Sequence, residues 1–172
     1  KLEVGKEYSI EDLLNFMIKY SNNNATANLN VLMDFKAYST LMEDIGIPVP
    51  DPKASDYTLN SVECSRFLRV LYNTSVLTNK SSEYALKLLS ESTYHGGLLR
   101  QIADKNIKVA HKFGERFLPN ENQLHETAIF YTDSSPYSLT VLTGGKDTAQ
   151  EAALIGKIGA LVYDYNTKPK TN

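Results

Sequence analysis

The chain has 172 residues, 42% apolar and 22% charged, which is enough for one packed globular domain. A formal net charge of −2 leaves no electrostatic footprint for nucleic acid, and no apolar run reaches membrane-spanning length. The lone cysteine, Cys64, excludes an intramolecular disulfide; His95, His111 and His125 stand at no ligand spacing, so neither metal nor cofactor is expected.

The opening Lys-Leu-Glu-Val-Gly-Lys lacks the apolar core of a secretion signal. Ser9 followed by Asp12 then predicts a capped helix start. Ile10, Leu13, Leu14, Met17 and Ile18 follow the helical template without a miss. That helix runs into Ser21-Asn22-Asn23-Asn24, residues that favour caps and turns, and a second helix with Ala25, Leu29, Leu32 and Met33 starts there. A third takes Tyr38, Leu41, Met42 and Ile45 and stops at Gly46. The prolines of Ile47–Pro52 demand an extended loop. Asn60 with Glu63 opens a helix packing Phe67, Leu68, Val70 and Leu71, and Ser81–Ser90 is a shorter one with Leu86 and Leu89 inward. Gly96-Gly97 breaks the pattern, Leu98–Ile102 reads as a short helical turn, and 104–106 as a tight turn.

From there the period changes from 3.6 to 2. Strands are predicted over Lys108–Gly114, Glu126–Tyr131 and Tyr137–Leu142, with turns at Pro119–Asn122 and Asp133–Pro136. Asp147 with Gln150 caps a last helix through Tyr163, whose Ala149, Ala152, Ala153, Gly156 and Ala160 suit close packing on a sheet. Residues 166–172 read as a polar tail. The class is α+β: a helical block (1–106), then a three-stranded antiparallel meander with a closing helix (107–165). The sheet is small for an independent core and reads as part of a larger one.

Ile107–Glu115 carries a cation, a ring, a glycine and an acid along one strand. Two readings stand side by side. Lys112 and the backbone around Gly114 form an anion or oxyanion site, or this is an edge strand guarded by a lysine.

Ser21-Asn22-Asn23 after the first helix and Lys112-Phe113-Gly114 on a later strand resemble the Ser-Asp-Asn and Lys-Thr/Ser-Gly motifs of the class A β-lactamase and penicillin-recognising serine hydrolase family. The resemblance covers nearly the whole chain, leaving only Val49–Tyr57 unplaced. It implies the β-lactamase/transpeptidase-like fold with its N-terminal part missing, as a single domain.

The resemblance further implies acyl transfer on a β-lactam or a D-amino-acid peptide amide, in a bacterial, extracytoplasmic protein. By position, Ser21 relays a proton to the leaving nitrogen, Asn23 holds the substrate's amide, and Lys112 supplies positive charge. The Glu115 N–H faces the oxyanion, and Gly114 permits close approach. The family's Ser-x-x-Lys is absent: no lysine in the chain follows a serine by three residues. The nearest pattern is Thr143-Gly144-Gly145-Lys146, at a strand end and in the wrong order. The nucleophile is therefore expected on a missing N-terminal segment of the same domain, a partner without which this chain is inactive.

Phe113 replaces a hydroxyl that would help bind a substrate carboxylate. Asp56-Tyr57-Thr58-Leu59-Asn60 echoes a deacylation loop with a shorter acid, which fits a D-alanyl-D-alanine peptidase-like enzyme better than an efficient lactamase. A non-catalytic relative binding peptidoglycan or a protein partner is the further alternative.

Overall fold

The structure is a computed structural model, and it describes residues 2–54 and 56–168. The chain divides into two compact units, Lys1–Ser92 and Thr93–Asn172.

The first unit holds five helices: α1 (Ile10–Lys19), α2 (Asn23–Val31), α3 (Phe35–Asp44), α4 (Ser61–Tyr72) and α5 (Asn79–Ser90). Each begins where a side chain takes up otherwise unpaired N–H groups. Ser9 with Asp12 and Asn60 with Glu63 form reciprocal capping boxes, while Asn22, Asp34 and Thr78 cap α2, α3 and α5. Gly46 ends α3 with φ 68°, and the N–H groups of Gly46 and Ile47 return to the Glu43 and Met42 carbonyls, a Schellman stop.

Leu13, Ala25, Met42, Ile47, Leu68, Leu88 and Leu89 are the buried apolar side chains of this unit. The inward residue of α5 beside Leu89 is Leu88; Leu86 is only half-buried. Leu32 and Met33 continue the helical period past α2 yet stay exposed, because Asp34 starts a new helix just after them. α1 packs against α2 and α5, and Lys19 is ion-paired with Glu91 just beyond α5. That contact, seconded by Lys87, pulls the Glu91 carboxyl down to about 2.

In the second unit, a turn through residues 98–102 and a 3-10 turn at Ala103–Lys105 lead into β1 (Lys108–Phe117), β2 (Asn122–Tyr131) and β3 (Tyr137–Gly145). The strands form an antiparallel sheet of order β1-β2-β3, in register Lys112↔Thr127↔Thr140. α6 (Thr148–Thr167) starts at Asp147, which accepts the Ala149 and Gln150 N–H groups, and it packs on β2 and β3. It runs through Thr167, into the predicted tail; residues 169–172 lie outside the described part.

Leu98, Ile102, Val109, Leu124, Ala128, Phe130 and Ile155 make the core on the helix side of the sheet. Thus the stretch read as a helical turn supplies two core side chains from a tighter, irregular turn. Among the described residues no helix is long and apolar enough to cross a membrane.

Candidate functional site

Ser21 and Asn23 come together at the α1–α2 junction. Tyr20 caps α1, and Ser21 turns the chain in the left-handed region with φ 50°, so the Asn22 N–H reaches back to the Phe16 carbonyl at 3.1 Å. The Asn22 side chain then accepts the Ala25 N–H at 2.9 Å, and Asn23 is left exposed as the first residue of α2. Fully buried Ala25 anchors the start of α2.

A serine at positive φ is uncommon, but Thr74, just past α4, adopts the same φ of 50°. The conformation is therefore a helix stop that the chain uses twice, and by itself it does not single out Ser21.

Lys112, Phe113, Gly114 and Glu115 come together on β1, at one edge of the sheet among the described strands. Alternation puts Lys112 and Gly114 on one face and Val109, His111, Phe113 and Glu115 on the helix face. Lys112 is partly buried, and lost hydration pushes its ammonium down to about 8. Its Nζ donates to the Phe113 carbonyl at 2.6 Å and lies 4.7 Å from the Phe113 ring centre. That ring stacks on Tyr94 with centroids 4.0 Å apart. Burial, and secondarily the charges of Glu126 and Glu115, push the Tyr94 phenol up to about 12. A Cβ on Gly114 would meet nothing within 4 Å, so no protein packing demands a glycine there. β1 thus carries a partly buried cation, held against Phe113, and open backbone at Gly114 two residues on. Such a surface can hold an anion or steady a carbonyl oxygen.

His111, one of the three histidines at no ligand spacing, is 1% exposed and pairs with Glu126, also 1% exposed. Its Nδ1–H donates to Glu126 Oε1 at 2.7 Å. Sequence reasoning passed over this pair and Tyr94. The available signal was Glu126 itself, a charge at a position of β2 where Leu124, Ala128 and Phe130 face the core.

Asp56 is exposed in the α3–α4 loop, where its Oδ1 accepts the Tyr57 N–H at 2.9 Å, and Asn60 is engaged as the cap of α4. Thr143 ends in β3, with Lys146 just beyond it. Among the described residues no group of three or more His, Cys, Asp or Glu could hold a metal.

Solved structures share this fold. A β-lactamase from Sphaerobacter thermophilus superposes with a TM-score of 0.79 at 17% identity over 98% of this chain and 68% of its own. One from Chitinophaga pinensis gives 0.76 at 17%, over 93% of this chain and 66% of its own. A penicillin G acyl-enzyme complex of a PBP-A mutant gives 0.78 at 14%, over 95% and 64%. The chain therefore spans about two thirds of the length of the structures it matches. No curated protein matches it. A family model described as the beta-lactamase enzyme family matches residues 1–166, including the 49–57 loop that motif comparison left unplaced. With that match over nearly its whole length, the chain belongs to the beta-lactamase enzyme family.

Proposed function

We propose that this chain is the substrate-orienting part of a serine acyl-transfer enzyme of β-lactamase type, acting on β-lactam or D-amino-acid peptide amides. The observation that carries the reading is the partly buried Lys112, its Nζ donating to the Phe113 carbonyl, two residues before the open backbone at Gly114. In this reading both units belong to one domain, and the serine nucleophile and its base come from a segment of that domain outside this chain. The chain alone is then inactive. Lys112 attracts the substrate's negative charge, and the Glu115 N–H takes the oxyanion that forms when the carbonyl is attacked. Ser21 passes a proton to the leaving nitrogen, and Asn23 holds the substrate's amide. The protein works outside the cytoplasm, where such substrates occur.

Two residues bias the substrate class. Phe113 offers a ring, already stacked on Tyr94, where a hydroxyl would have helped hold a carboxylate. Asp56 is exposed and one carbon shorter than a glutamate, a poor base for deacylation. Both favour a peptidase-like enzyme that keeps its acyl group over a fast lactamase. Phe113 also motivates the second reading, a relative that binds peptidoglycan or a protein partner without chemistry.

The test is acylation by a fluorescent penicillin, read on a gel, using a protein in which the missing third of the fold is restored. A covalent adduct is expected, and an intact fold with no adduct at any serine would favour the binding reading. Gly114→Ala sharpens it. Stability should change by less than about 0.5 kcal/mol, since the added methyl meets open space. Acylation should fall by about tenfold or more, since the methyl intrudes on the ligand's path. Unchanged acylation would remove Gly114 from the site.

A further inference from the structure

Glu126 lies on β2 between Leu124 and Ala128, and all three are buried. Its carboxylate has two partners: His111 Nδ1–H donates to Oε1 at 2.7 Å, and the Leu98 N–H donates to Oε2 at 2.7 Å. The fit at the turn is tight, since a Cβ on Gly97 would come within 1.9 Å of Oε2. Tyr94, just before that turn, lies against Gly96 and Gly97 and stacks on Phe113. One carboxylate therefore joins β2, β1 and the 97–98 turn, and the turn carries a ring onto β1. The two residues so anchored, His111 and Phe113, are the sequence neighbours of Lys112. Other titratable groups nearby are His95, whose ring centre is 6.5 Å from that of His111, and Glu115 and Arg100, whose charges reach Tyr94.

We propose that Glu126 is a positioning residue, fixing Lys112 on β1 by holding His111 directly and Phe113 through the Leu98 turn and Tyr94. The inference rests on the role given to Lys112 above and assigns what keeps it in place. An edge strand is free to lift and hydrate on its open side. Fastening both neighbours of Lys112 to the opposite face removes that freedom and keeps water from its ammonium. Loss of the carboxylate leaves the Leu98 N–H and His111 Nδ1 buried without an acceptor, so the turn lifts and Tyr94 leaves Phe113.

The test reads Lys112 itself, in the full chain and without substrate. Lysines are reductively methylated with 13C-formaldehyde, the Lys112 resonance is assigned by its loss in Lys112→Arg, and it is titrated by NMR. The native midpoint is expected near 8. In Glu126→Leu it should rise by about one pH unit or more toward the ordinary lysine value, as water returns. Glu126→Gln keeps an acceptor for Leu98 and a partner for His111, and should stay within about half a unit of native. An unchanged midpoint in folded Glu126→Leu, or an equal rise in Glu126→Gln, overturns the proposal. If Glu126→Leu does not fold, Gly97→Ala displaces Oε2 with one methyl and should raise the midpoint likewise; no rise there overturns it as well. Failure of the acyl-transfer reading looks different: no penicillin adduct in the restored protein although Lys112 titrates near 8.

Discussion

Lys112→Met is expected to slow acyl transfer in the restored protein about 10²–10³-fold and yet to stabilise the fold at pH 7. Removing one preorganised charge from an acyl-transfer site typically lowers the rate about 10²–10³-fold. The stability gain follows from the lowered ammonium value. Lys112 is held at about 8 where an unfolded lysine titrates at 10.5. Below pH 8 both states are protonated, and the folded state bears the full cost of a partly desolvated cation. Between 8 and 10.5 the unfolded chain binds more protons than the folded one, so native stability rises with pH across that window. Methionine carries no such cost. Its advantage should be about 1–2 kcal/mol at pH 7, after discounting for partial exposure, and should shrink steadily above pH 8. Urea titrations of both proteins at pH 7 and pH 10 check this. A variant less stable at pH 7 would mean that Lys112 serves packing, and that its contacts with Phe113 outweigh its desolvation. A group that weakens the fold in the state in which it would act is what a binding or catalytic role leads one to expect.

The same lysine marks how far sequence reasoning reaches. Helix starts were legible because a cap is a local bargain between a side chain and the N–H two or three residues on: Ser9 with Asp12 and Asn60 with Glu63 stand as expected. Gly46 was legible for the same reason. Strand ends were not. β1 continues to Phe117 and β2 begins at Asn122, because Glu115, Arg116 and Gln123 are held by their partners across the sheet. Their own polarity argues for a loop, and only the neighbouring strand overrides it. α5 begins at Asn79, two residues ahead of the expected start, because Thr78 accepts the Ser81 N–H.

For the proposed site residues Ser21, Asn23, Lys112 and Gly114, chain order and element type could be read, since helix-end and strand signals are local. The support beneath could not. Nothing in Leu98 announces that its N–H will meet a carboxylate 28 residues away, and nothing in His111 announces a partner 15 residues on. What the sequence did offer was a misfit, Glu126 on an apolar face, and a buried charge of that kind requires partners.

Gly159→Ala is expected to destabilise the chain by about 2–4 kcal/mol, against the direction of helix propensity. In a solvent-exposed helix the change would add roughly 1 kcal/mol of stability. Here the new Cβ would lie 2.4 Å from the Leu98 carbonyl oxygen and 3.1 Å from the Leu98 Cα. Those are backbone atoms of a fully buried residue whose N–H is tied to Glu126, so they have little room to give. Relief would require either α6 to lift from the sheet, uncovering Ile155, or the 97–98 turn to shift and strain the carboxylate contact. Either route weakens the same core, and the second also reaches His111 and β1. Gly156→Ala is a natural comparison, because its methyl would meet the Arg100 Cβ and the Gly97 carbonyl oxygen at 3.1 and 3.2 Å. A shift of a few tenths of an ångström would relieve that contact, so its cost should be smaller, about 1 kcal/mol. Urea unfolding of the two variants side by side gives the difference. Equal stabilities would mean that α6 slides freely over the turn, and that the turn is not the rigid support that the Glu126 contact implies.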